Sequence, residues 1–501
     1  MREQSKIQNL VVGLDLGTTT CKAVALDDAG RVVVSAESEY GLQVDSTGWV
    51  EQEPEEVWRG VERVLRSLVE QIGADRVMGL ALSGAMHTLL PVAADGAPLA
   101  PAMSWADSRA APQVRDLRAR TDAHALYLRT GCPLRSTYHP ARLRWWREAA
   151  TDLTKKAARW VSLKDWALFR LSGSWATDAS YASTTGLLAI HQREWDPEAL
   201  KLAGINEAQL APLVSSAAVA GRLTGEAARR VSLYEGVPVV AGGSDGGMAL
   251  LGARAGRDGA VVITVGTSGA IRRMVDTPLL DPGERTWCYV LDEDMWFAGG
   301  AINNGGLTLE WVREKLYAGV KTSYSQLMAD AASVEPGAAG LFVLPYFTGE
   351  RSPYWNPNLR ATFYGLDITH TRAHITRAAL EGVAYCMRDI WQALGDGLPH
   401  GATAYLTGGI TDSPLWAQIL ADVLGVPLVP VEQADASALG AALVGFAALG
   451  RPVSSTDQAA RAPDTVVEPN AGRHSFYVER HRVFQELARH LTLLQRGEMG
   501  I

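Results

Sequence analysis

The run GLDLGTTT at residues 13–20 sets an aspartate, Asp15, at the end of an apolar, β-branched stretch and follows it with glycine and three threonines. VVITVGTSGA at 261–270 is a related run in the second half of the chain. Each reads as a β-hairpin whose tight turn presents backbone N–H groups, a geometry that receives phosphate oxygens. A side chain at Gly17 or Gly266 would hold phosphates away from those donors, and Thr18, Thr19 and Thr267 add hydroxyl donors. One such turn is ordinary hairpin chemistry. Its recurrence half a chain away points to a nucleotide cleft.

The elements that must position these turns follow from length and periodicity. A chain of 501 residues exceeds what one hydrophobic core usually supports, so two large domains are expected. PEEVWRGVERVLRSLVEQI at 54–72 spaces Val57, Val61, Val64, Leu65, Leu68 and Ile72 as one buried helical face, opened by proline and acids and closed near Gly73. RVMGLALSGAMHTLLPV reads as a buried strand, a loop and a second apolar run. From about 105 to 235 the pattern is mostly helical, including ARLRWWREAA, KDWALFRL and AQLAPLV, and reads as an insertion enclosing a ligand. VPVVAGGSDGGMALLGA at 237–253 predicts a strand, a glycine-rich turn and a helix start; the boundary is placed there, giving domains 1–248 and 249–501. The second half repeats the order: hairpin strands, a long helix from about His374 to Leu394, the strand AYLTGGI entering glycines, and the helix SPLWAQILADVLG.

Composition narrows the function classes. Hydrophobic residues make up 47% of the chain, ample for burial, and the formal charge of −8 without a basic run argues against a nucleic-acid surface. An anionic substrate would therefore need local cations. Four dispersed cysteines, Cys21, Cys132, Cys288 and Cys386, show no metal-binding spacing and read as free thiols in a reducing cytosol. The small-apolar run SALGAALVGFAALG at 437–450 is too short and glycine-interrupted to span a bilayer, so a cytoplasmic protein without membrane attachment is expected. Residues 452–470, rich in Pro, Ser, Thr and Asp, read as loosely ordered.

Taken in order, GLDLGTTTCKAVALD, SGAMHTLL, PAMSWADSRA, VSLKDWALFRLSG, AGGSDGGMA, VGTSGAIR, GERSPYWNPNLRATFYGLD and YLTGGI resemble successive motifs of the FGGY carbohydrate kinases over most of the chain. The resemblance implies an α/β fold of two RNase H-like, actin-like ATPase domains with a deep interdomain cleft. It implies ATP-dependent phosphorylation of a sugar or polyol hydroxyl, with Mg²⁺, and a homodimer is a common arrangement in the family. The family's catalytic base corresponds to Asp245, in GGSDGG, where flanking glycines let a carboxylate approach the attacking hydroxyl and take its proton. The competing role for Asp245 is to cap the following helix. Asp15 is expected at Mg²⁺ together with Asp245, since magnesium needs only one or two carboxylates among its oxygen ligands; the competing role for Asp15 is to steady its own turn. Gly17, Thr18, Thr19, Gly266 and Thr267 form the nucleotide set, to which Gly306, Gly408, Gly409 and Ser413 are carried over by position.

The acceptor pocket implied by the motifs comprises Met86, His87, Trp105, Asp107, Arg109, Lys164 and Asp245. Paired donors and acceptors with an apolar Met or Trp face suit a polyhydroxy ligand. Pentulose-kinase members read SGQMHG, whereas this chain has Ala85 and Thr88 at the glutamine and final glycine; SGAMHTLL, SWADSR, VGTSGAIR and GGAINNGG resemble the gluconokinase branch. Gluconate adds a carboxylate, for which Arg109, Lys164, His87 and Arg351 are the candidate partners. The expected reaction is thus phosphorylation of D-gluconate to 6-phospho-D-gluconate. Xylulose or another pentulose or polyol is the alternative acceptor, and an actin-like ATP-gated binding module is the alternative of a different class.

Overall fold

Both hairpins form, and each seeds a sheet. The computed structural model describes residues 9–45, 48–253, 260–319, 322–395, 397, 403–431, 435–453 and 466–496. β1 (Leu10–Leu16) and β2 (Thr20–Leu26) run antiparallel with Leu16 opposite Cys21. β3 (Val32–Glu39), β4 (Val77–Gly84), β5 (Val219–Arg222) and β6 (Pro238–Ser244) complete a six-stranded sheet of order β5-β6-β4-β1-β2-β3. Because β4 lies parallel to β1, the chain must cross over between β3 and β4, and α1 (Pro54–Ile72) makes that crossing. Its predicted face, from Val57 to Ile72, is buried, and Gly73 ends the helix at φ 85°.

The second sheet contains β7 (Val261–Val265), β8 (Gly269–Val275), β9 (Trp287–Asp292), β10 (Met295–Ile302), β11 (Ala404–Thr407) and β12 (Leu428–Pro430), in the order β9-β10-β8-β7-β11-β12. Five strands of each sheet share one plan. β3-β2-β1 and β10-β8-β7 are antiparallel, and β1-β4-β6 and β7-β11-β12 are parallel. The sixth strand joins opposite edges, β5 beside β6 and β9 beside β10. This is the duplicated α/β architecture anticipated from element order.

The helices that matter to the site are α2 (Leu163–Ser172), α3 (Asp245–Gly252), α4 (Gly306–Trp311), α5 (Arg372–Ala393), α6 (Pro414–Leu424) and α7 (Ala436–Ala448). α7 belongs to the second half in sequence yet lies on the first sheet. A Cβ at Gly13 of β1 would run into the Ala438 carbonyl, and one at Gly445 would meet Val11 and Ala81. α3 and α7 cross with Gly252 against Ala436 and Gly440 against Met248. The small residues of 437–450 are thus the condition for backbone-to-backbone packing. Among the described residues no helix is long and apolar enough to cross a membrane.

Two local expectations change. AQLAPLV forms a single 3₁₀ turn, Glu207–Gln209, then a short strand, Leu213–Val214, paired with Thr177–Asp178; Pro212 removes a donor and biases Ala211 away from helix. The glycine-rich turn before Asp245 is absent: β6 continues to Ser244, and Gly242, at φ 68°, makes a bulge against the Leu82 carbonyl. Of the loosely ordered stretch expected at 452–470, residues 454–465 lie outside the described residues. All four cysteines are buried and unpaired.

Candidate active site

Strand register brings the two key aspartates to one end of one sheet. Asp15 of β1 stands opposite Ser83 of β4, and Ser83 stands opposite Gly243 of β6; one residue on, Leu16, Gly84 and Ser244 align. Asp15 and Asp245 therefore sit at the carboxyl ends of parallel strands, two strand spacings or about 10 Å of backbone apart. Ligands of open α/β sheets bind at that end.

The capping role falls to Ser244, whose Oγ accepts from Gly247 N at 3.2 Å. This leaves the Asp245 carboxylate to accept from Gly246 N at 2.7 Å and Met86 N at 3.3 Å. Burial raises its pKa, against the pull of the Arg272 guanidinium and those two N–H donors. Asp15 has no hydrogen bond to its own turn; its Oδ1 accepts from Ser83 Oγ at 2.6 Å. Burial first, and the charge of Asp245 second, push the Asp15 carboxyl up to about 7, with Ser83 and Lys22 opposing. The turn is held by other groups. Gly17 N donates to Thr20 O at 3.0 Å, Tyr40 OH donates to Gly17 O at 2.6 Å, and Gln52 Nε2 donates to Thr18 O at 2.9 Å.

Met86, His87 and Trp105 converge on this end. A Cβ on Gly246 would lie 3.0 Å from Met86 Cε. His87 adopts φ 65°, sparsely populated for a side-chain-bearing residue, and Arg142 fixes it by donating to its carbonyl. Nδ1 of His87 donates to Thr184 O at 2.7 Å, and the ring stands edge-on to Tyr138 and Tyr289. Burial, Arg142 and Arg351 hold its pKa down to about 3, so the imidazole is neutral. Trp105 Nε1 donates to Thr18 Oγ1 at 3.1 Å, coupling the Trp105 loop to the β1–β2 hairpin. The Arg351 guanidinium, from the second half, stacks over the Trp105 ring at 4.7 Å.

Three other predicted pocket residues are tied up in ion pairs inside the protein, with Arg109 Nη1 buried and without a hydrogen-bond partner. Arg109 donates from Nε to Asp107 at 2.9 Å and from Nη2 to Asp107 and Glu51 at 2.6 Å each, and stacks on Trp49 at 3.9 Å. Asp107 also accepts from Val50 N at 2.9 Å. Lys164 of α2 is buried between Asp165 at 2.9 Å and Asp178 at 2.8 Å and donates to Ala241 O at 3.2 Å. Burial opposes its charge, but the two carboxylates outweigh that and hold its pKa above the usual lysine range. These groups brace loop and helix against the first sheet, each cation already neutralised.

The rest of the expected nucleotide set, Gly266, Thr267, Gly306, Gly408, Gly409 and Ser413, lies around the corresponding end of the second sheet. Gly306 N, at the start of α4, donates to Gly266 O at 2.6 Å, and Thr267 O accepts from Gly305 N and Leu307 N at 3.1 Å each. Gly408 takes φ 88°, and a Cβ there would press on the Val265 carbonyl, so the position requires glycine on both counts. Thr264 Oγ1 and Thr407 Oγ1, 2.9 Å apart, tie β7 to β11 just below these turns. Cβ atoms on Gly266 and Gly409 would meet nothing within 4 Å, so both turns face open space. Thr267 and Thr19 are exposed. Ser413 caps α6, its Oγ accepting from Trp416 N at 3.3 Å.

Ser83, Arg272, Tyr138 and Tyr289 complete the site and were not assigned from sequence. Ser83 lies in the SGAMH motif, and Arg272 is an arginine within a β-branched strand pattern, a signal that was legible. The Tyr138 and Tyr289 hydroxyls, 2.7 Å apart, join the two halves by a contact that sequence spacing does not reveal. Among the described residues no group of three or more His, Cys, Asp or Glu side chains is placed to hold a metal. Asp15 and Asp245 nevertheless fit magnesium, which takes one or two protein carboxylates and completes its shell with water and phosphate oxygens. Their half-buried, mutually repelling charges are what a divalent cation relieves.

Residues 10–252 match the N-terminal domain of the FGGY family of carbohydrate kinases, and residues 261–449 match its C-terminal domain. A gluconokinase of Bacillus subtilis (strain 168) is 33% identical over 450 residues, 88% of each chain. The crystal structure of gluconate kinase from Lactobacillus acidophilus superposes with a TM-score of 0.92 at 29% identity, covering 97% of this chain and 98% of that one. Ligand-bound xylulose kinase from the same organism gives the same TM-score, identity and coverage. The chain belongs to the FGGY family of carbohydrate kinases, phosphotransferases whose acceptor is an alcohol.

Proposed function

We propose that the enzyme transfers the γ-phosphoryl group of ATP to the 6-hydroxyl of D-gluconate, yielding 6-phospho-D-gluconate, in the cytoplasm. The observation that carries this reading is the 33% identity to a gluconokinase over 88% of both chains. Asp245 takes the hydroxyl proton, its oxygen oriented by the Met86 and Gly246 N–H groups. Met86 and Trp105 supply apolar surface, and neutral His87 offers a hydrogen-bonding edge to hydroxyls. The 1–248 half contributes the acceptor groups and one hairpin turn, Gly17, Thr18 and Thr19, to the nucleotide, and the 249–501 half contributes Gly266, Thr267, Gly306, Gly408, Gly409 and Ser413 around it. Asp15 and Asp245 would hold Mg²⁺, which neutralises phosphate charge during transfer. A homodimer is the proposed assembly.

Xylulose is the second reading, favoured by the equal structural similarity to a xylulose kinase. Mass-resolved product analysis with ATP and gluconate, xylulose, ribulose or glycerol separates the two. Highest kcat/KM on gluconate is expected; highest kcat/KM on xylulose overturns the gluconate reading. ATP loss without a phosphorylated acceptor would overturn both.

A further inference from the structure

The candidate cations for an acidic acceptor sort themselves by what already binds them. Arg109 is neutralised by Asp107 and Glu51, Lys164 by Asp165 and Asp178, and His87 is uncharged. Two guanidiniums from the second half remain facing the acceptor residues. Arg272 projects from β8 so that its Nε would lie 3.2 Å from a Cβ on Gly246, the same point that Met86 Cε approaches at 3.0 Å. That Nε is buried and has no hydrogen-bond partner. Arg351 stacks on Trp105 and donates from Nη2 to Ile302 O at 3.0 Å, while its own Nε is likewise buried without a partner.

The two like charges are close enough that Arg272 lowers the pKa of Arg351, with burial the larger cause. The carboxylates within reach do not balance them. Glu350 accepts from Asn303 N at 2.6 Å and Arg351 N at 2.8 Å, and burial raises its pKa to about 7, which leaves it partly protonated. Asp245 is the remaining anion beside Arg272, and its oxygen is held by backbone N–H groups. Buried guanidinium N–H groups left bare are costly and are satisfied best by a planar carboxylate.

We propose that Arg272 and Arg351 together form the carboxylate-binding edge of the acceptor pocket, and that Arg272 sets its preference for an aldonate over a neutral ketose. The inference rests on the kinase reading above and names two residues as the source of its substrate choice. Both come from the half that carries the nucleotide turns, so the acid group of the acceptor is recognised across the cleft.

The test compares kcat/KM for gluconate and D-xylulose in wild type, Arg272→Gln, Arg272→Lys and Arg351→Gln, with calorimetric titration of gluconate and of MgADP. Loss of a hydrogen bond to a charged group predicts that the gluconate-to-xylulose ratio falls roughly 10- to 100-fold in Arg272→Gln and Arg351→Gln, with partial recovery in Arg272→Lys. Gluconate affinity should fall at least about tenfold further than MgADP affinity. An equal loss on both acceptors overturns the proposal and assigns Arg272 to the transferred phosphoryl group. A wild-type enzyme that binds xylulose but not gluconate overturns the gluconate reading and this proposal together; a wild type that turns over gluconate while Arg272→Gln keeps its ratio overturns this proposal alone. MgADP binding identifies a variant that has failed to fold, and Arg351→Gln then decides.

Discussion

Asp15 and Asp245 lie at the same end of one sheet with only the strand of Ser83 between their own, and the charge of Asp245 raises the proton affinity of Asp15. That relationship joins a hairpin near the start of the chain to a helix start more than two hundred residues later. It also makes the two carboxylates separable by experiment.

Asp245→Asn should lower kcat by about 10²- to 10⁴-fold, the usual worth of a general base. Ser244 still caps α3, so circular dichroism and the thermal midpoint should match wild type or exceed it, because a buried charge is removed. Retained turnover above one-tenth of wild type would remove Asp245 from the base role.

Asp15 gives a pH signature in the ligand-free protein. Its folded pKa of about 7 exceeds the ordinary 3.8, so between pH 4 and 7 the folded state holds a proton the unfolded state has lost, and stability falls as pH rises. Asp15→Asn should flatten that fall and raise the melting temperature at pH 8 by about 1–3 °C while abolishing turnover. Melting curves from pH 5 to 8 check the sign; a variant less stable than wild type at pH 8 contradicts the assignment.

Gly408 and Gly409 are adjacent but should respond oppositely. Gly408→Ala places a Cβ on the Val265 carbonyl at a positive φ and should destabilise by about 1–3 kcal/mol in urea titration. Gly409→Ala points into open space, so its denaturation midpoint should hold while KM for ATP rises. Unaltered ATP kinetics in Gly409→Ala would take that turn out of the nucleotide site.

Lys164→Met leaves Asp165 and Asp178 buried without their shared cation, which should cost about 3–5 kcal/mol in denaturation. A large rise in acceptor KM with no loss of stability would return Lys164 to the pocket.

Much of this architecture was legible in one dimension because it depends on local rules. Alternation and β-branching marked β1, β2, β7 and β8, the 3.6-residue spacing of Val57 to Ile72 marked α1, and the glycine turns marked the strand ends at which the candidate site lies. The same rules failed at AQLAPLV, where Pro212 outweighed helical spacing, and at Gly242, where the backbone passes so close to the Leu82 carbonyl that only glycine fits and the strand carries a bulge in place of the expected turn.

The sequence by itself determined the duplicated α/β plan, the two glycine-turn hairpins and the pair of aspartates, since each is encoded by neighbours within a few residues. Only the tertiary structure decided which charged residues are available for chemistry. Arg109 and Lys164 meet their counter-ions through folding, Asp245 is relieved of capping by Ser244, and Arg272 is left bare beside it. A side chain's free valence depends on partners brought together from distant segments, and their distances are set by packing and register that no local pattern carries.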